Sequence, residues 1–178
     1  MIAAPGGGKG TQGERLAAKY GAQHISSGDV LRAEVRAGTP AGREVAAFQL
    51  RGDLVPDQIV FDLLTPVVAA AAARGGYILD GFPRTVPQAI TAAELGRRLD
   101  LTLDAAVYLN VPGPVLTQRL LARARADDTA EVIEHRLQVF AEAAGPLIAY
   151  YRDRGILVEV NGDQSPEAIS EEIQARLP

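Results

Sequence analysis

The chain has 178 residues, 47% of them hydrophobic, a formal net charge of −4 and no cysteine. That length suits one domain with a substantial core, and without an apolar run near eighteen uncharged residues it carries no membrane-spanning helix. The acidic balance argues against nonspecific nucleic-acid binding, and the lack of cysteine excludes disulfides and thiolate zinc sites.

In chain order, short apolar segments predict strands near residues 1–3, 23–26, 77–80, 105–110 and 156–160, with helical patterns between them. Short buried strands alternating with helices predict an α/β fold: a parallel sheet of five strands covered by helices on both faces, with ligands outside the carboxyl ends of the strands. A helix is expected over residues 9–20. Another is expected over 57–74, with Asp57 as a plausible cap and Pro66 kinking or dividing it. The alanine run at 69–73 reads as helix packing. No repeat or linker marks a second domain. The phosphate-type loop follows the N-terminus at once, leaving no room for a signal peptide, so the expected setting is cytoplasmic.

That loop reads Ala3-Ala4-Pro5-Gly6-Gly7-Gly8-Lys9-Gly10-Thr11-Gln12. Three glycines let backbone N–H groups converge on anionic oxygens, and Lys9 with the following helix start supplies positive charge. The general pattern G-x-x-x-x-G-K-[ST] is missed at both ends, by Ala3 and by Gly10. The variant G-x-P-G-x-G-K-G-T fits at every position but Ala3, with the hydroxyl moved to Thr11. Read alone, the segment is also compatible with a glycine-rich surface turn.

Further polar motifs follow the expected strands. His24 to Arg32 places a strand end, Ser26, Ser27, Gly28 and then Arg32 one helical turn on, which suits a second anionic ligand. The turn from Gly52 to Asp57 offers Leu54 and Val55 with free backbone groups, suited to the flat edge of a base. Asp80-Gly81-Phe82-Pro83-Arg84-Thr85, with Gln88 beyond it, delivers an acid, an arginine and an amide. Singly, each has a structural explanation: Ser27 as a helix cap, Arg32 and Arg84 as solvated charges, Gln88 as a helix-face residue. Arg119 and Arg123 share a helix face, with Arg125 in a break around residues 124–129 and Arg136 beyond it. A helix hairpin whose arginines pair with Asp127, Asp128 and Glu131 is the alternative. Sixteen of the 18 basic residues are arginines, so only those inside such patterns gain meaning. His24 reads as a structural strand-end residue and His135 as part of a polar helix face.

Taken together, these motifs resemble the adenylate kinases, whose patterns run H-I-S-[ST]-G-D-[LM]-[LI]-R, G-x-L-V-x-D and D-G-F-P-R-T followed by glutamine. The R-x-x-x-R pattern and the G-R-x-D-D run ending in arginine continue the likeness, with Ala124 in place of the glycine. Asn161 to Pro166 resembles the family's ATP-adenine loop. The resemblance implies a single P-loop three-layer domain over residues 1–178, an AMP-binding segment at about 26–55 and a short lid at about 122–132. It implies transfer of the γ-phosphoryl group of MgATP to AMP, giving two ADP.

By the same resemblance Lys9, Arg84, Arg125 and Arg136 would be catalytic. Pro5, Gly6, Gly7, Gly8, Lys9, Gly10, Thr11, Arg119, Arg123, Gly162 and Gln164 would bind ATP. Ser27, Gly28, Arg32, Leu54, Val55, Gly81, Arg84 and Gln88 would bind AMP. Asp80 would approach Mg²⁺ through water, and no zinc is implied. The expected partners are ATP, AMP and ADP, with no nucleic acid or membrane, and the expected state is a monomer. A UMP/CMP kinase is the neighbouring reading, disfavoured because Thr85 stands where those enzymes usually have asparagine. Members of the family carry several apolar residues before the loop, forming a central strand, where this sequence has Met1 and Ile2. A short first strand keeps a nucleotide-binding pseudo-enzyme as the other alternative.

Overall fold

The computed structural model describes residues 1–123 and 129–178, and at Arg123 the backbone only. In chain order the elements are α1 (Lys9–Tyr20), β1 (Gln23–Ser26), α2 (Ser27–Ala37), α3 (Pro40–Arg51), α4 (Asp57–Ala72), β2 (Tyr77–Asp80), α5 (Val86–Arg98), β3 (Ala106–Asn110), α6 (Gly113–Arg123), α7 (Ala130–Arg152), β4 (Leu157–Asn161) and α8 (Pro166–Arg176). No helix among the described residues is long and apolar enough to cross a membrane.

β1 pairs with β2 in parallel from Gln23 opposite Tyr77 to Ser26 opposite Asp80. β3 pairs with β4 in parallel from Ala106 opposite Leu157 to Asn110 opposite Asn161. The expected first strand at residues 1–3 is instead a single parallel bridge, Ile2 to Tyr108. Ile2 N–H donates to the Val107 carbonyl at 2.7 Å and its carbonyl accepts from Leu109 at 2.9 Å. The chain then turns away through Pro5 and Gly6, at φ 81°, so the ladder stops after one residue and the described sheet is two pairs of strands.

Helices cover these pairs through three apolar clusters. Leu16 of α1 and Ile169 and Ile173 of α8 pack with Val107, Leu109, Val158 and Val160. Leu31, Val45, Val60 and Leu64, from α2, α3 and α4, pack with Ile25 and Phe82. Ile2, Ala89, Ala106, Leu147 and Tyr151 form the third cluster, joining α5 and α7 to the chain start. Each fully buried aliphatic side chain contributes roughly 1.5–3 kcal/mol.

Three local expectations are corrected. Pro66 does not divide α4, which runs unbroken across it. Pro66 has no amide to give the Asp62 carbonyl, and one residue earlier the Thr65 hydroxyl donates to the Phe61 carbonyl at 2.7 Å. Asp57 is the first helical residue rather than the cap, which falls on Pro56. Its carboxylate instead accepts from Gln88 Nε2 at 2.6 Å. Likewise Ser26, not Ser27, caps α2.

Met1 carries a consequence for stability. Its terminal ammonium donates to the Leu79 carbonyl of β2 at 2.7 Å, and burial pushes its pKa down from 8.0 to about 6, partly countered by Asp80. Between these values the unfolded chain binds more protons than the folded one, so stability rises with pH. In a chain that begins at Met1, the unfolding free energy should therefore increase by about 2–3 kcal/mol from pH 5.5 to 8.5. An N-terminal extension of aliphatic residues replaces the ammonium with a neutral amide donor and should remove that increment while raising Tm. Urea melts of both chains at the two pH values decide the matter, and identical pH dependence would contradict it.

Candidate active site

The phosphate loop is shaped by its glycines. Gly6 and Gly8 have φ of 81° and 85°, where a Cβ is strained. A Cβ on Gly7 would stand 2.7 Å from the Ala3 Cβ, so an alanine is accepted at position 3 because Gly7 leaves it room. Gly7 N–H closes the turn onto the Ala4 carbonyl at 3.0 Å. α1 starts at Lys9 without a side-chain cap, an arrangement that presents first-turn N–H groups to an anion. The Lys9 ammonium reaches back over the loop to the Ala3 and Ala4 carbonyls at 2.7 and 3.1 Å.

Asp80 ends β2, buried beside that loop. Its Oδ2 meets His24 Nε2 at 2.7 Å, and a Cβ on Gly10 would lie 3.9 Å from the same oxygen. Ser26 is opposite Asp80 in the register, so His24 is its diagonal neighbour across the two strands. Gly13 of α1 makes room for the imidazole, since a Cβ there would stand 2.5 Å from the ring. His24 thus has a definite partner in the cleft, a contact that strand-end reasoning did not reveal.

Facing the loop is a cluster of arginines. Arg84 donates from Nε to the Gly81 carbonyl at 2.8 Å. Its side chain is solvent-exposed within the open cleft, and the surrounding protein foremost, then the charge of Arg136, pull its pKa below the ordinary arginine value, with Asp80 opposing and Arg32 adding to the pull. Arg32 folds over Gly28, where a Cβ would meet its Nη1 at 3.0 Å, and donates to Asp29 at 2.7 Å. Arg136 of α7 donates to the Gln49 carbonyl of α3 at 3.3 Å. Cations gathered this way favour an anion with several oxygens between them.

Gln88 is buried on the first turn of α5. Its Oε1 accepts from Arg84 N–H at 2.7 Å and its Nε2 donates to Asp57, which leaves the amide a second N–H and a second lone pair. The buried Ser27 hydroxyl has no hydrogen-bond partner among the described residues. It lies against Gly81, where a Cβ would approach it to 2.6 Å. On the opposite flank Arg119 of α6 donates to the Gly162 carbonyl at 3.2 Å. Gln164 bonds the Asn161 carbonyl at 2.9 Å and Glu172 at 2.8 Å.

A single cleft of about 850 Å³ joins these parts. The loop from Pro5 to Thr11, Ser27, Gly28, Arg32, Leu54, Val55, Asp80, Gly81, Arg84, Gln88, Arg119, Arg136 and Gln164 all line it. Gly162 lies behind Arg119 rather than on the wall. Arg125 and the side chain of Arg123 lie outside the described residues. Sequence reasoning passed over Gln12, His24, Asp29, Gln49 and Asp53, which also line the cleft.

A glycine-rich loop with a lysine, opposed across one cleft by arginines, defines a nucleotide-binding phosphotransferase of the P-loop α/β class. The adenylate kinase family profile matches residues 1–156. An adenylate kinase of Parasynechococcus marenigrum (strain WH8102) is 45% identical over 173 residues, covering 97% of this chain and 94% of the relative. One of Synechococcus sp. (strain RCC307) is 45% identical over 177 residues, and adenylate kinase 1 of Nostoc sp. (strain PCC 7120) is 43% identical over 177, each covering 99% of this chain and 96% of the relative. The chain belongs to the adenylate kinase family.

Proposed function

We propose that this protein transfers the γ-phosphoryl group of MgATP to AMP reversibly, giving two ADP, with the donor on the 5–11 loop and the acceptor on the segment at about 26–55. The observation that carries the site assignment is the continuity of one cleft from the Lys9 loop to Arg32, Arg84 and Arg136. Phosphoryl transfer needs alignment and charge neutralisation over the equatorial oxygens more than a side-chain base. Lys9 takes the donor phosphates. Arg84 and Arg136, joined by Arg125, flank the phosphoryl group, while Arg32 holds the AMP phosphate. Ser27, Leu54, Val55 and Gln88 frame the acceptor base. Arg119 is assigned to the ATP base and Arg123, with Arg125, to the phosphates, while the Gly162 and Gln164 loop lines the ATP adenine.

Mg²⁺ enters with ATP and neutralises its phosphate oxygens. A carboxylate set into the loop wall fits an ion that keeps most of its ligands as water and phosphate, and Asp80 is that group. The lid at about 122–132 excludes water, so that ATP is not hydrolysed. Residues 1–3 are read as the central strand of a five-stranded order, β1, β2, residues 1–3, β3, β4, because Met1 bonds β2 and Ile2 bonds β3. The protein is read as one domain, a cytoplasmic monomer.

A coupled assay of ADP formation from ATP with AMP, CMP, UMP or GMP tests the acceptor. AMP should be turned over fastest. Faster turnover of CMP or UMP would overturn the adenine assignment, and ATP binding without ADP formation would mark a nucleotide-holding protein instead.

Arg119→Ala should mainly raise KM for ATP, by roughly tenfold, because stacking on a base binds ground and transition states alike. Michaelis profiles in ATP at saturating AMP show it, and a drop in kcat with unchanged KM would reassign the residue.

A further inference from the structure

α3 ends at Gly52, φ 79°, and the chain runs through Asp53 directly into Leu54 and Val55, the strip assigned to the acceptor base. Gly52 lies so close to α7 that a Cβ would meet Arg136 Cγ at 3.1 Å, Val132 Cγ1 at 3.3 Å and His135 Cδ2 at 3.4 Å. Asp53 Oδ1 meets His135 Nε2 at 2.9 Å, and its Oδ2 accepts from Arg51 Nε at 2.7 Å. The hydrogen bond from Arg51, then that from His135, hold the Asp53 carboxyl below its usual range. Two residues beyond the strip, Asp57 is bonded to Gln88. The strip is therefore fastened at both ends, to α7 before it and to α5 after it.

We propose that His135 is a positioning residue for the acceptor nucleotide: with Asp53 it clasps the AMP-binding segment to α7, setting Leu54 and Val55 at a fixed distance from Arg136. The inference rests on the reading of that segment as the AMP site. His135 is the residue next to Arg136, so one helix turn carries both the clasp and a cation for the phosphoryl group. The charged group that meets the imidazole is Asp53, itself paired with Arg51, and Arg136 is the next residue on α7. The pair is partly exposed, with side-chain accessibilities of 42% and 36%, which places its effect in the range of surface ion pairs.

The test is kinetic, on the full chain: kcat and KM for AMP and for ATP in the wild type, H135A, D53N, the double variant and H135K, at one pH. H135A and D53N should each raise KM for AMP roughly 2- to 5-fold, with kcat and KM for ATP nearly unchanged. The double variant should be no worse than either single one, because both remove the same contact. H135K, which keeps a cation opposite the Asp53 carboxylate, should bring KM for AMP back toward the wild-type value. An active H135A with wild-type KM for AMP would overturn the clasp alone, as would an H135K that behaves like H135A, or equal rises in both KM values. A wild type that makes no ADP from AMP would overturn the acceptor assignment together with it.

Discussion

Lys9→Met should lower kcat for ADP formation by about 10³-fold while the folded state survives. The ammonium lies over the loop on the Ala3 and Ala4 carbonyls, and in the proposed reaction its charge would meet the donor phosphates as negative charge moves onto them. Interactions that strengthen in the transition state act on kcat rather than on ground-state binding. The structural loss is smaller. Methionine keeps most of the aliphatic stem, and the Ala4 carbonyl retains its bond from Gly7, so chiefly the Ala3 carbonyl is deprived. One or two such bonds are worth roughly 1–3 kcal/mol, or about 2–10 °C in a chain of this size. Circular-dichroism melts alongside the coupled assay separate the two effects. A folded Lys9→Met with near-wild-type kcat would refute the catalytic loop; a variant that fails to melt cooperatively would make Lys9 a staple of the loop first.

The phosphate loop was legible because its chemistry is local: glycines, a lysine and a helix start are contiguous, and their backbone geometry follows from sequence order. The strands at 23–26 and 77–80 were also legible, since short apolar runs ending in polar turns have few other uses in a buried parallel sheet. Contacts between distant segments were not. His24 and Asp80 are 56 residues apart and meet only because β1 and β2 pair in the register that makes them diagonal neighbours. Gly13 held a clue, as a glycine inside a helix sacrifices about 1 kcal/mol of propensity and tends to mark a close approach. His135 and Asp53, 82 residues apart, needed the docking of α3 on α7. Position 57 shows the same limit from the other side. An aspartate before a helical run reads as a cap by local rules, but Gln88 supplies a better-placed donor from another element. α4 runs through Pro66 because the apolar face on both sides of it, Val60, Leu64 and Ala71, is buried in one cluster and outweighs a single lost amide bond, a balance that local rules do not see.

The arginine cluster yields the second large effect. Arg84→Ala and Arg136→Ala should each reduce kcat by roughly 10²–10³-fold, with smaller changes in KM for either nucleotide. Unlike most removals of a polar side chain, Arg84→Ala should hold or raise Tm of the nucleotide-free protein. Arg84 sits in the cleft under the repulsion of Arg136 and Arg32, countered by Asp80. Its Nε donates to the Gly81 carbonyl, a modest contact set against the repulsion of two like charges. Mutual repulsion of this kind is relieved by an anion: a nucleotide phosphate placed among the three guanidinium groups turns a destabilising cluster into a binding one. Stability and activity therefore respond in opposite directions at this position, as at sites built for a ligand rather than for the fold. The measurement is a pair of thermal melts, with and without AMP, on wild type and Arg84→Ala. The nucleotide should raise Tm of the wild type clearly and that of the variant far less, while the variant without nucleotide melts no lower than the wild type. A variant that melts well below the wild type yet keeps its kcat would make Arg84 a structural residue and remove it from the transferring set.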